Sequence, residues 1–225
     1  MLNVPGGAYV EGMLDTPLPR LHATAPDPLP FAPSLHIRAF LLEREHGNLL
    51  VYAAPTVGAA APAIAALGGV TRQYLNHWHE AAFGGDGIGA PLAIHADDRA
   101  AAEESLPVDE TFSDRVLLDH DFELIPTPGH TPGATAFVWD SGEGRLLFTG
   151  DSIYLRDGDW VAAVLEGTSD RAAYVESLEL LRGLEFDALV PWAASGEDYY
   201  TLTGPADARQ RIDAILERLR RGEDH

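Results

Sequence analysis

The chain has 225 residues and a formal net charge of −20, with 35 acidic residues against 15 basic ones, every basic residue being arginine. A surface so acidic repels phosphate backbones and anionic lipid, so neither nucleic acid nor a membrane is an expected partner, and a small-molecule substrate is. No cysteine is present, which excludes disulfides, thiolate nucleophiles and sulfur ligands; any metal must be held by histidine and carboxylate. A hydrophobic content of 46% supports a sizeable core. No apolar run is long enough to span a bilayer, and the first residues lack the basic and apolar regions of a signal peptide. A cytoplasmic protein is the expectation; the oligomeric state is left open, a homodimer included.

In chain order, residues 1–34 carry seven prolines, Pro5, Pro17, Pro19, Pro26, Pro28, Pro30 and Pro33, and read as an extended N-terminal extension laid over the surface. The main domain is expected over residues 35–225. Apolar runs at 35–42 and 49–53, separated by Glu43-Arg-Glu-His-Gly-Asn48, predict a hairpin. Residues 59–67 predict a short Ala-rich helix stopped by Gly68 and Gly69. A strand over 70–75 leads into Asn76-His-Trp-His-Glu80, and a Gly-rich loop follows. Residues 92–96 predict another buried strand, with Asp97 capping a small helix through 100–104.

The second half repeats the alternation. Strands are predicted over 115–118, 122–125, 134–139 and 146–148, then a helix over 169–181 stopped by Gly183, a strand over 186–190, and a terminal helix opened by Pro205. Strands outnumber helices and both halves have the same mixture. The expected fold is α/β: a four-layer αββα sandwich of two face-to-face mixed sheets flanked by helices.

His77 and His79 leave the 70–75 strand two residues apart, which would set both imidazoles on one side of its end. His130 stands in Thr127-Pro-Gly-His-Thr-Pro-Gly133, a loop whose prolines and glycines hold its course at low entropic cost. Asp151 follows Phe148-Thr-Gly150 just past another strand. All four therefore sit at the carboxyl ends of apolar strands, the edge where α/β proteins usually build sites. Three neutral imidazoles and a carboxylate suit one zinc ion with room for a water.

These motifs, in this order, resemble those of the metallo-β-lactamase-fold superfamily over roughly residues 35–196. The resemblance implies that sandwich fold, and it implies that His77, His79 and His130 bind a first metal with Asp151 at the bridging position. It also exposes departures. The family's His-x-His-x-Asp-His motif ends here in Ala81 and Ala82, its last histidine ligand is replaced by Ala193, and its early Asp-Thr-Gly turn is lost near Tyr52-Ala53-Ala54. Alanine ligates nothing, so one ion is expected rather than two. That ion is expected to be zinc, with iron as an alternative.

The implied function is a hydrolase of a small ester, thioester or lactone that uses one metal-bound water, oriented or deprotonated by Asp151. Two other readings stand beside it. One is an iron persulfide-dioxygenase-like enzyme using His77, His130 and Asp151 as a two-histidine, one-carboxylate face; the other is a binding protein with a decayed site. Around the centre, His95 is a candidate for an outer role, Glu80 and Asp86 read as solvated rim carboxylates, and Trp78 and Trp192 read as pocket walls. His22, His36, His46, His120 and His225 read as incidental.

Overall fold

Side chains that alternate along three strands of the second half divide between two cores. In the computed structural model, which describes residues 9–10, 12–84, 88–196 and 198–223, Phe137 and Trp139 of the strand Thr135–Asp140 face one core and Ala136 and Val138 the other. The strand Arg145–Gly150 divides likewise, Leu146 and Phe148 against Leu147, and so does Ala188–Pro191, Val190 against Leu189. With Val116–Leu118, Phe122–Pro126 and Thr201–Leu202 these strands form a six-stranded mixed sheet.

Its outer face is covered by two helices, Arg171–Arg182 and Pro205–Arg220, which bury Tyr174, Leu178, Leu181, Ile212, Ile215, Leu216 and Leu219 against it. Its inner face packs against an eight-stranded mixed sheet in which Leu49–Val51, Arg72–Tyr74, Leu92–His95 and Glu110–Phe112 run parallel. Phe40, Tyr52, Phe122, Phe137, Phe148 and Trp139 fill the space between the sheets, each burial contributing about 1.5–3 kcal/mol. Beyond the eight-stranded sheet lie the helix Val57–Ala66 and the short helix Arg99–Ala102. This is the expected αββα order.

Two features differ from the sequence reading. The prolines do keep the N-terminal segment out of helix, but it does not lie over the surface. Met13–Asp15 pairs antiparallel with Leu21–Thr24, which pairs antiparallel with Phe40–Leu42, with Leu21 and Ala23 fully buried, and residue 34 falls inside the strand Ala32–Ile37. Pro28 sits in the edge strand Asp27–Leu29, where a missing N–H costs no ladder bond.

The second difference is a third sheet of five strands, joining Asp159–Val161, Tyr154–Arg156, Ala193–Ser195, Ala32–Ile37 and Asp27–Leu29. The apolar run 35–42 that reads as one strand is in fact two. It breaks at Arg38, whose backbone N–H turns to the carbonyl of Trp192, so that Ala32–Ile37 joins this sheet while Phe40–Leu42 joins the larger one. No described helix is long and apolar enough to cross a membrane.

Candidate metal centre

The strand Arg72–Tyr74 ends one residue earlier than its apolar run suggests, and Leu75 and Asn76 carry the chain into a 3₁₀ helix, Trp78–Phe83. His77 is the extended residue capping that helix and His79 lies in its first turn. The two imidazoles thus converge through a tight helical turn and not by alternation off a strand end. Their ring centroids are 5.1 Å apart, and each is within 5.0 Å of the ring of His130. One ligand nitrogen from each of the three lies within 4.8 Å of the others.

Outer partners fix which nitrogen two of the three rings present. His130 Nδ1 donates to the carbonyl of Ala163 at 2.7 Å, leaving the Nε2 lone pair free. His77 Nδ1 faces two acceptors, Asn76 Oδ1 at 3.0 Å and Glu80 Oε1 at 3.2 Å, so its Nε2 also points inward as a lone pair. His79 Nδ1 stands 3.0 Å from His130 Nε2. Asp151 Oδ2 is 3.6 Å from His77 Nε2 and 3.8 Å from His130 Nε2.

Gly150 brings that carboxylate in. It has a positive φ of 56°, and a Cβ there would collide with the side chain of Asn76.

Burial sets the protonation. Desolvation lowers His77 to about 3 and His79, with a further push from a charged His77, also to about 3; His130 is lowered well below its ordinary value by the same causes. Desolvation and the nearby Glu80 raise Asp151 to about 7. At neutral pH the three imidazoles are therefore uncharged donors. His77 Nε2 and Asp151 Oδ1 are buried with no hydrogen-bond partner, each an unsatisfied group costing about 1–3 kcal/mol. A divalent cation fits this donor set: it would satisfy the inward lone pairs and the carboxylate together.

The residues that brace the site were misread or unread in the sequence. Glu80 is not a solvated rim group; it is fully buried. Its Oε1 accepts the backbone N–H groups of Asn76 at 2.8 Å and His77 at 3.3 Å, and its Oε2 that of Ala53 at 3.0 Å. Burial pushes its pKa well up against the pull of those three bonds.

Asp98, which no sequence argument singled out, joins the two ligand loops. It accepts Trp78 N–H at 3.0 Å from one loop, and Thr131 Oγ1 at 2.6 Å and Gly133 N–H at 2.8 Å from the other. A Cβ at Gly133 would meet the Asp98 side chain at 2.7 Å, which explains a glycine there. The only hint was a second carboxylate in Ala96-Asp-Asp98 directly after a strand.

Other expectations resolve as follows. His95 has no part in the centre: Nδ1 accepts Asp97 N–H at 3.2 Å and Nε2 bonds the carbonyl of Ser113 at 3.1 Å, so His95 and not Asp97 supplies the cap. Trp78 packs against His79 at a tilt of 52°, ring centroids 3.9 Å apart, and Trp192 meets His77 edge-on at 5.4 Å while donating Nε1–H to Ala53 O. Both wall a cleft of about 600 Å³ that opens over His79 and Asp151.

Ala82 and Ala193 line this cleft, but Ala81 does not: it packs into a small apolar cluster with Ala53, Leu75 and Ala102. Among the described residues no second group of three histidine or carboxylate side chains gathers. His22 is not idle, since it bridges Asp15 at 2.8 Å and Glu43 at 3.2 Å, far from the cluster in the fold's first strands. Asp86 and His225 lie outside the described residues.

Comparison with known proteins agrees with this geometry. Residues 57–193 match the family model of the metallo-beta-lactamase superfamily. A search of curated proteins finds no match. Among solved structures, a metallo-beta-lactamase from Pontibacter korlensis is similar at a TM-score of 0.70 and 15% identity, covering 94% of this chain and 99% of that one. A metallo-beta-lactamase from Hirschia baltica gives 0.65 and 14%, over 91% and 94%. ETHE1 from Myxococcus xanthus gives 0.61 and 16%, over 80% of each chain. At these identities the structures speak for the fold alone, while the family model spans more than half of the chain, so the protein belongs to the metallo-β-lactamase superfamily.

Proposed function

We propose that the chain is a hydrolase of a small ester, thioester or lactone that works with one zinc ion held by His77, His79 and His130. The observation that carries this reading is the convergence of three uncharged imidazoles, those of His77 and His130 held through their outer nitrogens, beside a carboxylate whose pKa is raised to about 7. A divalent ion held there would lower the pKa of a water toward about 7 and would polarise a carbonyl oxygen.

The chain's own groups do the rest. His77 and His130 hold their ring planes through Asn76, Glu80 and Ala163, so the donor geometry is set before anything binds. Asp151, whose carboxylate stands 3.6 Å from His77 Nε2 and 3.8 Å from His130 Nε2, would take a proton from the attacking water and return it to the leaving group. Tyr174 fixes Asp151 in place: its hydroxyl lies 3.1 Å from the carbonyl of Asp151 and 2.9 Å from that of Ser152, and accepts Ala163 N–H. Trp78 and Trp192 give the cleft beside the centre an apolar wall against which a substrate can lie.

A second reading has its own observation. His77, His130 and Asp151 alone bring two imidazole nitrogens to within 3.6 and 3.8 Å of one carboxylate oxygen, the face that a single iron uses for oxygen chemistry. One pair of assays separates the readings. Chelator-sensitive hydrolysis of simple esters or lactones by the zinc-loaded protein supports the first. Sulfite release from glutathione persulfide by the iron-loaded protein, with no ester hydrolysis, refutes it in favour of the second.

A further inference from the structure

The cleft beside the histidines differs in character from the acidic exterior. Apart from His79 and Asp151 at its inner end, its one charged lining group is Arg156, an exposed side chain whose guanidinium lies 5.3 Å from the ring of Tyr154. Everything else that lines it is aliphatic or aromatic. The inner wall is made by Ala82, Phe83, Trp192 and Ala193. It is stiff: Trp192 is 3% exposed, its indole N–H is bonded to Ala53 O, and Phe83 meets it edge-on at 5.4 Å. The two alanines keep open a volume that larger side chains would fill.

The mouth is apolar too. Among the described residues six large hydrophobic side chains are exposed, and two of them, Phe31 at 78% and Leu165 at 40%, stand on this cleft. Phe31 sits on the two-residue link between the paired strands Asp27–Leu29 and Ala32–Ile37, a rigid place from which to hold a hydrophobic ring in water. Exposed apolar side chains gathered on one concavity, leading from solvent to a buried polar cluster, mark a binding groove for an apolar ligand. A net charge of −20 and Asp151 at the inner end disfavour an anionic chain.

We infer that this cleft is an acyl subsite that takes a neutral, unbranched aliphatic chain, lying against Ala82, Phe83, Trp192 and Ala193 and leaving past Phe31 and Leu165. The carbonyl end of such a chain meets His79 and Asp151. The inference deepens the proposed hydrolase and rests on it for the reaction, while the binding itself does not depend on turnover.

The test uses neutral, non-hydrolysable probes: 2-alkanones from butanone to decanone, titrated calorimetrically into the full chain with and without zinc. The expected result is a dissociation constant that falls about fourfold per added methylene, in both forms, until the chain reaches the mouth. Ala193→Leu should end that ladder early and weaken the longest ketone about tenfold or more. Phe31→Ser, a change at an exposed turn that leaves the core untouched, should weaken only the longest members. Affinity that is flat along the series, or a folded Ala193→Leu protein with an unchanged ladder, overturns the subsite. Esters of the same acyl chains then report on the reaction separately. A ladder of ketone binding without chelator-sensitive hydrolysis removes the hydrolase reading and keeps the subsite; hydrolysis without a ladder removes the subsite alone.

Discussion

Replacing Asp98 with alanine should loosen the histidine cluster while leaving the sandwich folded. Asp98 is bonded to both ligand loops, through Trp78 N–H, Thr131 Oγ1 and Gly133 N–H at 3.0, 2.6 and 2.8 Å. Removing it leaves two backbone donors without an acceptor, at about 1–3 kcal/mol for each that stays buried. The Thr131 hydroxyl can turn elsewhere, Trp78 is half-buried, and burial already holds the Asp98 carboxyl above its ordinary pKa, so ionising it in the fold has a cost that its loss recovers. A net loss of about 2–3 kcal/mol follows, borne by the loops. Losing such an outer brace typically weakens metal binding 10–100-fold. Asp98→Asn should fall in between, because one loop N–H would then face an amide NH₂.

The assay is zinc competition against a chromophoric chelator, read beside the thermal midpoint of the metal-free protein. Folded Asp98→Ala protein with native zinc affinity would refute the reasoning, since a merely structural residue lowers the midpoint and leaves the affinity of the folded fraction alone.

Three further outcomes are expected. Because His77 and His79 titrate near 3, zinc displaces no proton from them above about pH 5, whereas Asp151 at about 7 must lose one; the logarithm of zinc affinity should rise by about one per pH unit from 5 to 7 and then level. A slope near three would mean that the histidines are protonated in the fold. The same shifts act on the metal-free protein in opposite senses. The raised Asp151 contributes stability at low pH that is lost as pH climbs from about 4 through 7, while the depressed histidines contribute stability above about 6.5 that is lost as pH falls toward 3, so Asp151→Asn should raise the metal-free thermal midpoint at pH 8 relative to the parent and not at pH 4. Finally, Ala82→His with Ala193→His places two imidazoles on the cleft and should raise bound zinc above one per chain at saturation, whereas Ala81→Asp buries a carboxylate among Ala53, Leu75 and Ala102 and should destabilise by several kcal/mol without adding metal.

The centre's histidines and Asp151 were legible because their motifs put chemistry-bearing residues at strand ends in a fixed order. The local reason for their convergence was not. Residues 70–75 look like one strand running up to the histidines, and nothing in their apolar pattern says that pairing stops at Tyr74 and a 3₁₀ turn takes over. Glu80 was misread because a carboxylate beside a ligand pair looks solvated until the backbone of Ala53, 27 residues away, is seen to donate to it. Asp98 escaped for the same reason, since its partners lie 20 to 35 residues off in loops that meet only in the fold. The five-stranded sheet depends on Ala32–Ile37 pairing with Ala193–Ser195, a contact of such long range that periodicity carries no trace of it. The helices and the sandwich order were readable because apolar stripes and alternation are local signals.

The central claim is that His77, His79 and His130 together hold one metal ion. Its most direct test is the metal content per chain, by elemental analysis, of the protein and of His130→Ala purified side by side, with folding checked by circular dichroism. His130 lies on the loop between the strands Phe122–Pro126 and Thr135–Asp140, outside the sheet pairing, so the variant should fold. The account predicts close to one zinc per chain in the parent and close to none in the variant. A folded variant that keeps its full metal content, or a parent that takes up no metal at saturating zinc, would contradict it.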